Sequence, residues 1–198
     1  MGLSHGQSRR RSLRLGKYDY AQPGAYFVTV CAKGRACLFG EVADGEMRLS
    51  HMGEIVAEEW RRSADVRLEI GLNAFVVMPN HLHGILFIHD VRVNARATGR
   101  SPLPDDRPEA RGPAPRSLGA FMAGFKSATT KRINQCRGTP GRLVWQRNYY
   151  EHIIRADESI HRIREYILNN PLEWTFDREN PKMPQRPASV PKDEPWRI

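Results

Sequence analysis

The chain has 198 residues, a formal net charge of +9 and a pI near 9.9. With 40% hydrophobic and 27% charged residues it is globular rather than disordered, and long enough for one domain with a sizeable core. Cys31, Cys37 and Cys136 form no Cys-x-x-Cys pair, which excludes a disulfide scaffold and points to reduced thiols in a cytoplasmic setting, while no apolar run approaches the ~20 residues of a membrane span.

Residues 1–17 carry Arg9, Arg10, Arg11, Arg14 and Lys17 without an acidic residue, the pattern of a flexible basic arm. A single domain is expected over 18–175. Gln22-Pro23-Gly24 signals a turn, and Ala25 to Ala32, rich in aromatic and β-branched residues, predicts a strand. Leu38 to Leu49 reads as a hairpin turning at Asp44-Gly45. From Met52 to Ala64 the apolar spacing becomes helical, through Ile55, Val56 and Trp60, with Ser50 as N-cap. Leu68 to Met78 and His83 to His89 predict two antiparallel strands joined at Pro79-Asn80.

The stretch from Val91 to Pro115 holds five prolines and five arginines and reads as a long loop. Ser117 caps a second helix reaching Cys136, with Leu118, Phe121, Phe125, Ala128 and Ile133 on its buried stripe. Leu143 to Gln146 reads as a short strand. Asp157 to Asn169 predicts a third helix with Ile160, Ile163 and Ile167 inward, stopped by Pro171. Residues 176–198 are Pro-rich, and an uncovered tail is expected after Trp174. The order strand, helix, strand, strand, helix, strand is the split βαβ pattern. It predicts an α+β fold: a ferredoxin-like or RRM-like antiparallel sheet with helices on one face and an added C-terminal helix bearing a tyrosine.

Two places carry chemistry. In Val76 to Phe87 the histidines of His81-Leu82-His83 would share one face of a strand, since side chains alternate with a period of two. Two neutral imidazoles so placed can hold one divalent ion, or can simply be polar residues of a sheet. On the third helix Tyr166 and Asn170 are four residues apart and project in nearly the same direction. By periodicity alone Tyr166 reads as a half-buried core tyrosine.

Together these features resemble the HUH single-tyrosine transposases, and among them the transposases associated with repetitive extragenic palindromes. The resemblance rests on AYFVTVCAKGR (25–35), FVVMPNHLHGILFI (75–88), WQRNYYEHIIR (145–155) and IREYILNNPLEW (163–174), and covers roughly residues 16–174. It implies that His81, His83 and Asn170 bind a divalent metal, Mg²⁺ or Mn²⁺, and that Tyr166 is the catalytic nucleophile. Some family members have Glu where this chain has Asn80. Tyr26, Tyr149 and Tyr150 receive no catalytic role, and His152 is a candidate supporting residue. The implied activity is nicking and joining of single-stranded, hairpin-bearing DNA through a 5′-phosphotyrosine, by a monomer or homodimer.

A polyanion also suits the middle of the chain. From Ala110 to Tyr150 there is no acidic residue, against eight Lys and Arg. Arg116, Lys126, Lys131, Arg132, Arg142 and Arg147 are candidates for the DNA backbone, and Trp145 for stacking on unpaired bases. Three other readings compete. An RNA-binding module shares the topology, but Ala25 to Ala32 lacks a Gly-Phe-x-Phe-like run. A histidine-triad phosphoesterase would need a histidine where Ile85 stands. A domesticated transposase that only binds nucleic acid would keep the same residues.

Overall fold

The computed structural model describes residues 19–90 and 113–183. The expected arm at 1–17, nearly all of the 91–115 loop and the end of the tail lie outside the described residues.

Strand β1 (Gly24–Cys31) leads through a single 3₁₀ turn to a two-stranded hairpin, β2 (Gly40–Ala43) and β3 (Glu46–Leu49). Asp44 and Gly45 both take positive φ, 55° and 76°, as a two-residue hairpin turn of the primed type requires. Helix α1 (His51–Val66) follows, and the Ser50 hydroxyl accepts from the Gly53 amide to cap it. Strands β4 (Ile70–Met78) and β5 (His81–Ile88) form the next hairpin. Its turn is tied down on both sides: Pro79 O accepts from Phe39 N and Asn80 O from Ala32 N. Helix α2 (Leu118–Arg137) is capped by Ser117 and ends at Gly138 in the left-handed region. Strand β6 (Tyr150–Ile154) and helix α3 (Asp157–Asn169) complete the core, followed by a 3₁₀ turn at Trp174–Phe176.

The sheet order is β4-β5-β1-β6, antiparallel throughout. This is the expected ferredoxin-like α+β arrangement. One detail differs. Leu143 to Gln146 contributes only a bridge between Trp145 and Ala32, and the fourth strand is Tyr150–Ile154. Val144 and Trp145 serve the core instead. The edge strand, with Glu151 and His152 in it, has a weaker apolar signature.

Alternation along the strands divides the molecule into two cores. Tyr26, Val28 and Val30 of β1 and Leu82 and Leu86 of β5 face α1 and α2, where Trp60, Phe121 and Phe125 fill the space. The Trp60 ring meets both phenylalanines edge to face, at 5.4 and 5.2 Å. A Cβ on Gly84 would stand 2.4 Å from Trp60 Cζ2, so only glycine lets the indole lie on β5. Ala25, Phe27, Ile85 and Ile154 point to the other face and pack on Ile163 and Ile167 of α3. His81 and His83, in phase with Ile85, lie on this second face.

Candidate active site

His81 and His83 are both buried. Their Nε2 atoms are 3.0 Å apart. The partners of the other ring nitrogens fix the tautomer of His81 and leave His83 able to adopt either. Asn80 Nδ2 donates to the carbonyls of Arg35 and Glu179, so Asn80 Oδ1 is the atom facing His81 Nδ1 at 2.9 Å. A carbonyl oxygen only accepts, so His81 carries its proton on Nδ1 and a lone pair on Nε2. His83 Nδ1 is 2.7 Å from Thr29 Oγ1, its neighbour in the β1–β5 ladder. A hydroxyl donates or accepts, so Thr29 suits either tautomer of His83. Without an ion, His83 donates Nε2–H to His81. With the proton moved to Nδ1, both lone pairs converge.

Burial holds both rings neutral. It lowers the pKa of His81 to about 3, helped by the positive charges of Arg178 and Arg35. His83 is lowered well below its usual value by burial, then by His81 and Arg178. Neutral imidazoles are the form that ligates metal.

Helix α3 brings Tyr166 over this pair. Its hydroxyl is 3.4 Å from His83 Nε2 in the same chain, and its ring meets His83 and Phe27 edge to face. Asn170, one turn on, is buried beside His81. Its amide lies close enough to favour the charged form of that ring, yet Oδ1 has no hydrogen-bond partner within the described residues. Thus all four residues singled out from the sequence meet at one place.

The structure adds a residue that sequence reasoning missed. Asp177 follows the Trp174–Phe176 turn, with Oδ2 3.8 Å from His81 Nε2. Ligand atoms of His81, His83 and Asp177 lie within 4.8 Å of one another, a group that could hold a metal. Burial raises the Asp177 carboxyl to about 6. The donor set fits a divalent ion. Two neighbouring ligands on an octahedral ion with bonds of ~2.1 Å stand about 3.0 Å apart, as the two Nε2 atoms do. The unpartnered Asn170 Oδ1 offers a further oxygen.

The segment carrying Asp177 is not the uncovered tail expected after Trp174. The Trp174 ring is 6.0 Å from that of His81, and Glu179 is buried. The Glu179 carboxylate pairs with Arg35 at 2.9 Å and Arg178 at 3.3 Å and accepts from Cys31 Sγ. Burial, then Glu179, pushes the Cys31 thiol up to about 12. Nothing in the tail's composition signalled this, because the contacts join residues far apart in the chain, 148 positions for Cys31 and Glu179, and follow no period.

The expected DNA contacts divide. Arg116 is exposed ahead of α2, and Lys131, Arg142 and Arg147 are exposed around a groove beside that helix. Lys126 Nζ is committed to the carbonyls of Gln146 and Arg147 at 2.6 and 3.0 Å. Arg132 bridges Glu58 and Glu59 of α1. Trp145 is a correction. Its ring is buried between Phe39 and Phe125 and its Nε1–H donates to Thr129 Oγ1, so it offers no face to a base. The basic surroundings suggested stacking, but the adjoining Leu143-Val144 run was the better guide. His152 is half-buried on β6 opposite Phe27, with its pKa lowered by burial.

Comparison with known proteins agrees with the fold. No family model matches the chain. An uncharacterized protein of Haemophilus influenzae is 36% identical over 180 residues, spanning 89% of this chain and 94% of its own length. The structure of a REP-associated tyrosine transposase bound to a REP hairpin superposes with a TM-score of 0.52 at 19% identity, covering 80% of this chain and 72% of that one. No helix among the described residues is long and apolar enough to cross a membrane. The chain belongs to one family with the Haemophilus influenzae protein, and its fold is that of the REP-associated tyrosine transposase.

Proposed function

We propose that this protein nicks and rejoins single-stranded DNA that carries a hairpin, with Tyr166 as the nucleophile. The observation that carries the reading is the Tyr166 hydroxyl, 3.4 Å from one of two buried, neutral histidines whose Nε2 atoms converge. The transposase of like fold is bound to a REP hairpin, which supports DNA of that kind as the partner here. His81 and His83, with Asn170 and Asp177 as oxygen donors, would hold Mg²⁺ or Mn²⁺. Bound there, such an ion would neutralise charge developing on the scissile phosphate.

Tyr166 Oη forms a bond to phosphorus as the bond from phosphorus to the 3′-oxygen breaks. The phenol gives up its proton, the 3′-oxygen takes one, and the products are a 5′-phosphotyrosine and a 3′-hydroxyl. Attack by a 3′-hydroxyl reverses the step, so joining needs no ATP. Only about a thousandth of free tyrosine is ionised at neutral pH, so the setting must favour the phenolate. The chain supplies orientation: the Tyr166 ring is held against Phe27 and His83, and α3 is anchored by Ile163 and Ile167.

Incubation with end-labelled hairpin DNA and Mn²⁺ is expected to give a covalent protein–DNA adduct that resists denaturation. Tyr166→Phe should lower the adduct at least a hundredfold, and a chelator should prevent it. An adduct persisting in Tyr166→Phe would remove the nucleophile. Tight hairpin binding without any adduct would favour the reading in which the protein only binds nucleic acid.

A further inference from the structure

A second feature lies outside the Tyr166 site. Between α2 and the segment 138–147 runs an open groove of about 700 Å³. Pro140 and Leu143 give it an apolar side, and Lys131, Arg142 and Arg147 supply its charge. The side chains of these three cations pair with no acidic group among the described residues, whereas Lys126, also in the wall, is spent on backbone carbonyls. Leu143 is 66% exposed, an apolar side chain standing in solvent between basic neighbours. The groove adjoins the site through its wall: Gln146 donates its amide to Cys31 O and its side chain to Ala32 O, and Cys31 pairs with His81 in the sheet.

An apolar wall with cations around it and no anion suits a ligand with one flat apolar part and a negative charge. A volume of this size falls among small-ligand pockets of ~300–1,000 Å³. A duplex would meet the cations but has no unpaired base for Leu143. We propose that this groove seats an unpaired nucleotide of the DNA strand, its base against Leu143 and Pro140 and its flanking phosphates on Lys131, Arg142 and Arg147. The assignment rests on DNA being the partner, but not on Tyr166 chemistry. The groove acts as a grip on single strand beside the cutting site.

The test measures binding alone, in a Tyr166→Phe background with chelator present. A fluorescent 20-nucleotide single strand is titrated by anisotropy across a salt series, against a duplex of the same sequence. The double variant Lys131→Gln/Arg142→Gln should bind the single strand about tenfold more weakly and lose roughly 1.4 from the salt slope, at ~0.7 per phosphate. Leu143→Ser should weaken single-strand binding about fivefold, leaving the slope and duplex binding unchanged. A strand carrying 5-iodouracil should photo-crosslink to the 138–147 peptide. Parent-like binding by both variants, or crosslinks only elsewhere, overturns the groove while leaving the Tyr166 reading intact. No single-strand binding by the background protein overturns DNA as the partner of both. Tighter binding of the same strand as RNA, crosslinked at the same peptide, would reassign the groove to RNA.

Discussion

Strand β5 serves two faces of the sheet that are built on opposite terms. Toward α1 and α2 it presents Leu82 and Leu86, and the Trp60 indole lies directly on Gly84. Toward α3 it presents His81 and His83, each with one ring nitrogen satisfied by a local partner and the other turned to its neighbour. The first face buries apolar surface with aromatic packing. The second buries polar groups whose best arrangement waits on something else, as the unpartnered Asn170 oxygen and the raised carboxyl of Asp177 both show. One face therefore holds the fold, and the other spends part of that stability on a prepared site.

The contrast is open to direct measurement. The largest effect belongs to the packed face. Trp60→Ala should cost about 3–5 kcal/mol in urea unfolding, because it opens a cavity among Phe75, Phe121 and Phe125. A loss below ~1 kcal/mol would mean that this face is not the source of stability.

Acid should reveal the second face. His81 and His83 resist protonation in the folded protein, so the unfolded chain binds more protons as pH falls below about 6.5, and stability drops. Asp177 works in the opposite direction, since its folded carboxyl takes up a proton as pH falls through about 6. His81 alone, at roughly 1.5 kcal/mol, outweighs about 1 kcal/mol for Asp177, and His83 adds in the same direction, so metal-free protein loses stability between pH 6.5 and 5. Melting in the presence of chelator across that range checks the sign. A stability that rises on acidification would mean that the pair is charged in the folded state.

The smallest effect is expected at Tyr166, where Phe removes one oxygen from a half-buried ring and keeps the contacts with Phe27. Tyr166→Phe should change the unfolding free energy by less than about 1 kcal/mol. A larger loss would mean that the hydroxyl holds α3 in place, and the absence of adduct in that variant would then need a folding control.

Much of this architecture can be read from residue order. The helix caps at Ser50 and Ser117, the Asp44-Gly45 turn and the two apolar stripes are local signals, and the structure follows them. The His81/His83 phase is legible because strand alternation is strict, and Tyr166 with Asn170 because a helix brings positions four apart onto one side. The less legible parts have no local period. Trp145 sits in a basic stretch that looks like a nucleic-acid face, yet its indole has its own buried acceptor in Thr129. Asp177 and Glu179 fall in a segment whose prolines suggest exposure. Glu179 is buried because Asn80, Arg35 and Cys31, far earlier in the chain, receive it, and Asp177 is brought with it to His81.

The Tyr166 hydroxyl faces the histidines of its own chain. In genetic terms the two halves behave as one cistron's indivisible property. In the proposed reaction, an allele damaged at Tyr166 and another damaged at His83 are expected not to rescue each other, because each polypeptide lacks one half of the set.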